Sequence, residues 1–175
     1  MVAPATNGHA PHSRLERLRD AAPTPPHDLA AERSVLGAML IDPAAVAEVG
    51  TERLRPEHYF SPQHQAIAAA IGAAHAETGA TDPIAVAEVL RRRDRPDIGV
   101  DALLDLAEEA SALGAAAGVA GHARIVRQHA ATRSMVDIAR TVQIAAQSGA
   151  AAEHLRSLFQ RALEDAPSVS PAVIV

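Results

Sequence analysis

The chain has 175 residues, no cysteine and a formal net charge of −5 at pH 7. The lack of cysteine excludes disulfides and thiolate chemistry, and no apolar run approaches the roughly 18 residues of a membrane span. All 16 basic residues are arginine, so the sequence lacks the lysine that a P-loop places on nucleotide phosphates. These features predict a soluble cytoplasmic protein of one domain that hydrolyses no ATP.

The N-terminal part predicts an arm followed by a first helix. Residues 1–25 show no sustained periodicity and end in a proline-rich run, which predicts a disordered arm. Asp28 then supplies the side-chain oxygen of a helix N-cap, and four apolar residues follow on one face: Leu29, Leu36, Met39 and Leu40. Alanine makes up about a quarter of the chain and aromatic residues 2%, which favours close-packed helices over sheets.

Three further helix starts share one signature, a capping residue followed by proline at the first helical position. They are Asp42-Pro43, Ser61-Pro62 and Asp82-Pro83. Proline is tolerated there because the amide that it lacks has no partner in the first turn. The helix after Ser61 is predicted to end at Gly79.

The C-terminal part predicts four more helices. One carries Leu103, Leu104 and Ala107; another begins at Val119 and carries Val126 and Ala130. A third is expected after Arg133, with apolar residues at helical spacing up to Gly149: Met135, Ile138, Ala139, Val142, Ala145 and Ala146. The last covers about residues 152–166, and residues 167–175 are a tail or the start of a linker. Since no segment alternates at period two, the predicted fold class is all-α.

Two segments carry the most specific pattern in the chain. The first is Pro26-His27-Asp28-Leu29-Ala30-Ala31-Glu32-Arg33-Ser34-Val35-Leu36-Gly37, and the second is Leu54-Arg55-Pro56-Glu57-His58-Tyr59-Phe60 with His64 shortly after it. Together they resemble the N-terminal domain of DnaB-type replicative DNA helicases. In that family a histidine is often found at the position of His64, which implies a role in packing and capping. The chain departs from the family pattern at His122, where a tyrosine is common.

The resemblance covers about residues 26–166 and sharpens the predicted architecture. It implies a compact helical globular part, about residues 26–110, followed by an elongated helical hairpin, about residues 119–148. In the family this domain self-associates through its hairpins, offers a docking surface to primase and is followed by a linker and an ATP-driven motor. Because the sequence holds no P-loop, the resemblance implies a copy of the collar domain without its motor.

No group of residues predicts a catalytic, cofactor or metal site. His122 and His129 would lie about 10 Å apart along a helix, too far to share one metal ion. Ser34 has no histidine and carboxylate at a plausible local spacing. Glu32 and Arg33 are assigned a structural role on the polar side of the first helix. The three aromatic residues are assigned to core packing: Tyr59, Phe60 and Phe159.

Three classes of function remain open at this point. We favour a non-catalytic interaction and oligomerisation module of DNA replication, related to the helicase collar. Its expected partners are a second copy in a homodimer or larger assembly, and a replicative helicase or a primase. The alternative is a helix-turn-helix-like DNA-binding regulator that reads DNA with the helix Pro83–Arg93, and the third class is an enzyme with a histidine site. Strong autonomous nucleic-acid binding is not expected, because the arginines at 91–93 and 95 are explained by the dipole at a helix end.

The apolar stripe of the predicted hairpin is the expected interface. A two-helix hairpin cannot bury such a stripe by itself, and an exposed apolar strip of this kind usually marks an interface. The residues predicted to contact a partner are Val126, Ala130, Met135, Ile138 and Val142.

Overall fold

The computed structural model describes residues 24–114 and 118–165, and within these ranges the regular structure is helical throughout. Seven α-helices occur there: α1 Leu29–Ile41, α2 Pro43–Thr51, α3 Pro62–Thr78, α4 Pro83–Arg92, α5 Val100–Ala112, α6 Val119–Gln147 and α7 Ala152–Asp165. A 3-10 turn, Pro56–His58, lies between α2 and α3. The all-α prediction is confirmed. Most of the predicted arm (1–25) and all of the predicted tail (167–175) lie outside the described residues.

The four predicted helix starts are confirmed by their capping contacts. Asp28 accepts a hydrogen bond from the Ala31 amide at 2.9 Å at the start of α1. Asp42, Ser61 and Asp82 cap α2, α3 and α4 with their side chains, and proline follows each of them. Side-chain acceptors satisfy amides that the first helical turn leaves without a partner. The left-handed conformation of Gly79 (φ 73°) ends α3 as predicted.

Helix α1 is the central element of the globular part. It contacts α2, α3, α5 and α6, and nine of its thirteen residues are buried: Ala31, Glu32, Ser34, Val35, Leu36, Gly37, Ala38, Met39 and Leu40. Burial therefore extends beyond the predicted apolar face, of which Leu36, Met39 and Leu40 are buried as expected. Of the four residues predicted to form that face, Leu29 is exposed.

Helices α1 and α5 cross at Gly37. A Cβ atom at this position would overlap the Leu106 carbonyl oxygen and the Ala110 methyl group. The backbones approach so closely only because residue 37 has no side chain. On α5, Leu103 and Leu106 are buried, whereas Leu104 is exposed.

Helix α6 runs for 29 residues without a break, a length of about 43 Å at the usual helical rise. The expected second helix after Arg133 is therefore wrong as a separate element. No glycine or proline interrupts the region around Arg133, and nothing else there stops a helix from continuing. The chain turns instead over residues 148–151, where Gly149 has φ 81°. The hairpin consists of α6 and α7, which contact each other.

The two halves of α6 have different surroundings. In its first half Val119, Ala123, Val126, Ala130 and Ala131 are buried, whereas over residues 132–147 only Ile138 is buried. The first half therefore belongs to the globular core, and the second half extends beyond it with α7. Across the described residues, no helix is long and apolar enough to cross a membrane.

Candidate functional site

The two segments that carry the sequence pattern meet in a buried cluster around Glu32. Its carboxylate accepts hydrogen bonds from the Phe60 amide at 2.6 Å, from Nδ1 of His64 at 2.7 Å and from the Ser61 amide at 3.4 Å. Only 1% of the surface of Glu32 is exposed, so its expected place on the polar side of α1 is wrong. This one carboxylate ties α1 to the segment that starts α3.

The electrostatics of the cluster favour a charged Glu32. Burial alone would raise the pKa of this carboxyl group, but the hydrogen bonds from His64, Phe60 and Ser61 outweigh it and hold the pKa below its ordinary value. Nearby, the Tyr59 hydroxyl is buried and makes no hydrogen bond to any described residue. Burial, and secondarily the charge of Glu32, raise the pKa of Tyr59 far above its usual range, so it stays neutral. The cluster fixes a loop and offers no exposed acid or base to a substrate.

Two further side-chain pairs join α1 to its neighbours. Arg33 forms an ion pair with Glu109 of α5, in which Nε at 2.7 Å and Nη2 both donate to the same carboxylate oxygen, Oε2. Ser34 is hydrogen-bonded to Nδ1 of His122 on α6 at 2.9 Å. The sequence reasoning missed this histidine because it lies 88 residues away. Among the described residues no carboxylate hydrogen-bonds His122, so the pair lacks the third member of a catalytic triad.

Arg133 connects three separate parts of the chain. Its guanidinium donates to the carbonyl oxygen of Pro26 at 2.7 Å and to that of His58 at 2.6 Å. It also lies 5.6 Å from the centre of the Phe60 ring, on which the His27 ring stacks at 4.1 Å. Arg133 thus holds the segment before α1 and the 3-10 turn against α6 at the point where α6 leaves the core.

Three of the four arginines in the run at the end of α4 pair with carboxylates, and Arg93 donates to the Ala69 carbonyl oxygen at 3.4 Å. Arg91 pairs with Glu88 at 2.6 Å, Arg92 with Glu77 at 2.6 Å and Arg95 with Asp97 at 2.9 Å. Arg91 and Arg92 occupy the last turn of α4, where cations complement the helix dipole. The structural explanation of this run is confirmed, and no feature of the described residues favours a DNA-reading helix. The described part of the chain also holds no group of three or more metal-ligating side chains.

The five predicted partner-binding residues lie in three different environments. Val126 and Ala130 are buried in the globular core, and Ile138 is buried farther along α6. Val142 is half-buried, and Met135 is 42% exposed. Only Met135 and Val142 therefore present apolar surface outside the core.

The hairpin exposes apolar residues that sequence reasoning missed. Val136 and Ile144 of α6 are exposed, as is Phe159 of α7 at 44%, so the assignment of Phe159 to core packing is wrong. We define the hairpin surface by the exposed or half-buried Met135, Val136, Val142, Ile144 and Phe159. The available signal was the length of the apolar pattern, because a helix that continues beyond the core leaves residues such as Val136 and Ile144 exposed.

The chain resembles known proteins over most of its length. Residues 24–128 match the family model described as DnaB-like helicase N terminal domain. Curated relatives include the replicative DNA helicase DnaB of Mycobacterium leprae, 34% identical over 86% of this chain and 25% of the relative. The DnaB of Rhodothermus marinus is 32% identical over 76% of this chain and 14% of the relative. The DnaB of Treponema pallidum is 35% identical over 67% of this chain and 26% of the relative. The chain thus spans about a quarter or less of the length of these relatives.

A solved structure resembles this fold over most of both chains. The crystal structure of the N-terminal domain of DnaB helicase from Mycobacterium tuberculosis matches with a TM-score of 0.68 and 35% identity, covering 81% of this chain and 96% of that one. The matched family region contains both the Glu32–His64 cluster and the first part of α6. The chain belongs to the family of DnaB-like helicase N-terminal domains.

Proposed function

We propose that this chain is a non-catalytic interaction and oligomerisation module of DNA replication, which self-associates through its hairpin as part of a helicase collar. The observation that carries the proposal is the exposed apolar hairpin surface. Val136 and Ile144 of α6 and Phe159 of α7 expose large apolar side chains to solvent. Exposed apolar surface grouped on one projecting element is typical of protein–protein contacts.

The geometry supports the proposal that a second protein covers this surface. Beyond Arg133, α6 has left the globular core, and α7 can cover only one of its faces. Ile138 is buried and Val142 half-buried, whereas Met135 and Val136 remain exposed. A second copy of the hairpin offers a matching apolar surface, and such self-complementary contacts are the commonest form of homo-oligomer.

The proposed setting follows from the relatives, which are replicative DNA helicases. A replicative helicase and a primase are the further partners that we propose for this module. The proposal of a non-catalytic role is supported by a sequence without lysine, since a P-loop needs that residue for the nucleotide phosphates. Within the described residues, the one serine–histidine pair has no carboxylate partner.

The test is the oligomeric state of Met135→Asp. Met135 is 42% exposed, so aspartate is tolerated in the monomer, but in the proposed interface it would be an unpaired buried charge. Such a charge costs about 3 kcal/mol or more, which weakens a dimer at least about 100-fold. We expect light scattering to find a dimer for the unchanged chain and a monomer for the variant at equal concentration. Circular dichroism should show the same helix content for both.

Ile84→Asp is the matched control. Ile84 is 75% exposed at the start of α4 in the globular part, away from the hairpin, and it should leave the dimer intact. A monomeric unchanged chain at about 100 μM, a concentration at which even weak specific interfaces associate, would refute the proposal. Equal dissociation by both variants would show that the hairpin surface is not the interface.

A further inference from the structure

A groove lies where α6 leaves the globular part. It has a volume of about 280 Å³ and is open to solvent on one side. Its walls are formed by Pro25 and Pro26 of the segment before α1, by Phe60, and by Val136 of α6. Arg133, Asp137 and Arg140 provide its polar groups. This volume accommodates one or two large side chains of a ligand.

The groove carries a cation that no carboxylate neutralises by direct contact. In the described part of the chain, Arg133 forms no ion pair, because its two nearest acceptors are the neutral carbonyl oxygens of Pro26 and His58. The buried Glu32 and the exposed Asp137 attract it only from farther away. Arg140 approaches Asp137 at 3.6 Å and is itself exposed. The groove therefore presents two guanidinium groups and one carboxylate beside apolar walls.

The groove is also held in shape without a ligand. The two carbonyl contacts fix the Arg133 guanidinium, and the stacked His27 ring supports Phe60 from the other side. A guanidinium has five N–H donors, so Arg133 can bind a further acceptor without losing its present contacts. Preformed donors bind at a lower entropic cost than mobile ones.

We propose that this groove docks an acidic peptide segment of a partner protein, with one apolar side chain between Phe60 and Val136 and a carboxylate on Arg140 and Arg133. The apolar walls select the inserted side chain, and the excess of cations selects the carboxylate. Arginine pairs with carboxylates through two parallel hydrogen bonds, which gives direction as well as attraction. The proposal rests on the chain being an interaction module, but it concerns a surface separate from the one defined for self-association, apart from the shared Val136.

The test uses two capped hexapeptides and the full chain labelled for NMR. Both peptides carry a central leucine–phenylalanine pair; one has aspartate and glutamate at the four flanking positions, and the other has asparagine and glutamine. We expect the acidic peptide to cause saturable amide shifts at Phe60, Val136 and Arg140, with a Kd of about 1 mM or tighter. The neutral peptide should bind at least about ten-fold more weakly, as expected for the loss of a charge-assisted hydrogen bond.

Variants separate the groove from general electrostatics. Arg140→Gln should weaken the acidic peptide about ten-fold, whereas Arg156→Gln should not change its affinity. The control is matched, because each of these exposed arginines pairs with a carboxylate three residues before it in a helix. The proposal is overturned if both peptides bind equally, if both variants weaken binding alike, or if no saturable shift occurs at about 5 mM, well beyond the expected range.

Variants also test whether a second copy of the chain fills the groove, and they distinguish the groove proposal from the proposal of self-association. If Arg140→Gln dissociates the dimer, a second copy of the chain fills the groove and a partner protein does not. Met135→Asp should not abolish peptide binding, because Met135 does not line the groove. A monomeric chain that still binds the acidic peptide would refute self-association and leave the groove proposal standing.

Discussion

The substitution Glu32→Gln tests the buried cluster that joins the two pattern segments. The Glu32 carboxylate accepts hydrogen bonds from the amides of Phe60 and Ser61 and from Nδ1 of His64. Glutamine has nearly the same shape but replaces one acceptor oxygen by an NH₂ group, which cannot accept. At least one buried donor then has no partner, and the charge that strengthened the other bonds is gone. We expect the free energy of unfolding to fall by about 3 kcal/mol at pH 7.

The pH dependence gives a second readout with a fixed sign. Hydrogen bonds hold the pKa of Glu32 below its ordinary value of 4.5 in the folded chain. The unfolded chain therefore takes up a proton on this group first as the pH falls, which favours unfolding. The stabilisation by the charged carboxylate is complete above about pH 4.5 and is lost as the pH falls through the folded pKa. The difference between the original chain and Glu32→Gln should shrink over that interval.

Unfolding by urea is monitored by circular dichroism at two pH values, pH 7 and an acid pH at which the chain still folds. Glu108→Gln is the control, because Glu108 lies on the exposed side of α5 and should change stability by less than about 0.5 kcal/mol. The reasoning fails if Glu32→Gln is as stable as this control. It also fails if the deficit of Glu32→Gln is the same at both pH values, since the charge would then contribute nothing.

Two further predictions concern the packing of α1 and the attachment of α6. Gly37→Ala places a methyl group against the Leu106 carbonyl and Ala110. It should lower the free energy of unfolding by about 2 kcal/mol or more in the same urea titration. The control Gly72→Ala adds a methyl group in open space within α3 and should be neutral or slightly stabilising. Arg133→Gln loses the contacts to Pro26 and His58 and should lower the free energy of unfolding by about 1–3 kcal/mol. The control Arg156→Gln breaks an exposed ion pair on α7 and should lower it by less than about 0.5 kcal/mol. Equal effects of the two variants would refute the role of Arg133.

Local chemistry made part of this fold readable from the sequence. Caps such as Asp82 bind amides two or three residues away, so a helix start can be predicted from neighbouring residues alone. The same holds for Gly79, where a left-handed residue ends α3. These features need no knowledge of the rest of the chain, and all of them are confirmed.

Contacts across the fold could not be read in the same way. Glu32 looks like a surface residue until His64, 32 positions later, supplies its partner. Ser34 likewise gains His122 only when α6 packs on α1. The sequence predicts a separate helix after Arg133, but the Arg133 side chain binds two carbonyl oxygens of other segments while the backbone of α6 continues. Whether a polar residue in a helix is buried or exposed cannot be predicted until its tertiary partner is known.

The continuity of α6 links the core to the proposed interface. Its first half is held by the Ser34–His122 hydrogen bond and by Arg127, which donates to the Glu52 carbonyl at 3.0 Å, and Arg133 holds it at the edge of the core. Because one unbroken helix carries both the buried Val126 and the exposed Met135, a rotation of α6 in the core turns the hairpin surface by the same angle. In the proposed dimer, the orientation of the two hairpins would therefore be set inside the globular part. A substitution such as Arg133→Gln, which removes the contacts that hold α6 at the edge of the core, should for this reason alter the proposed association as well as the stability of each copy.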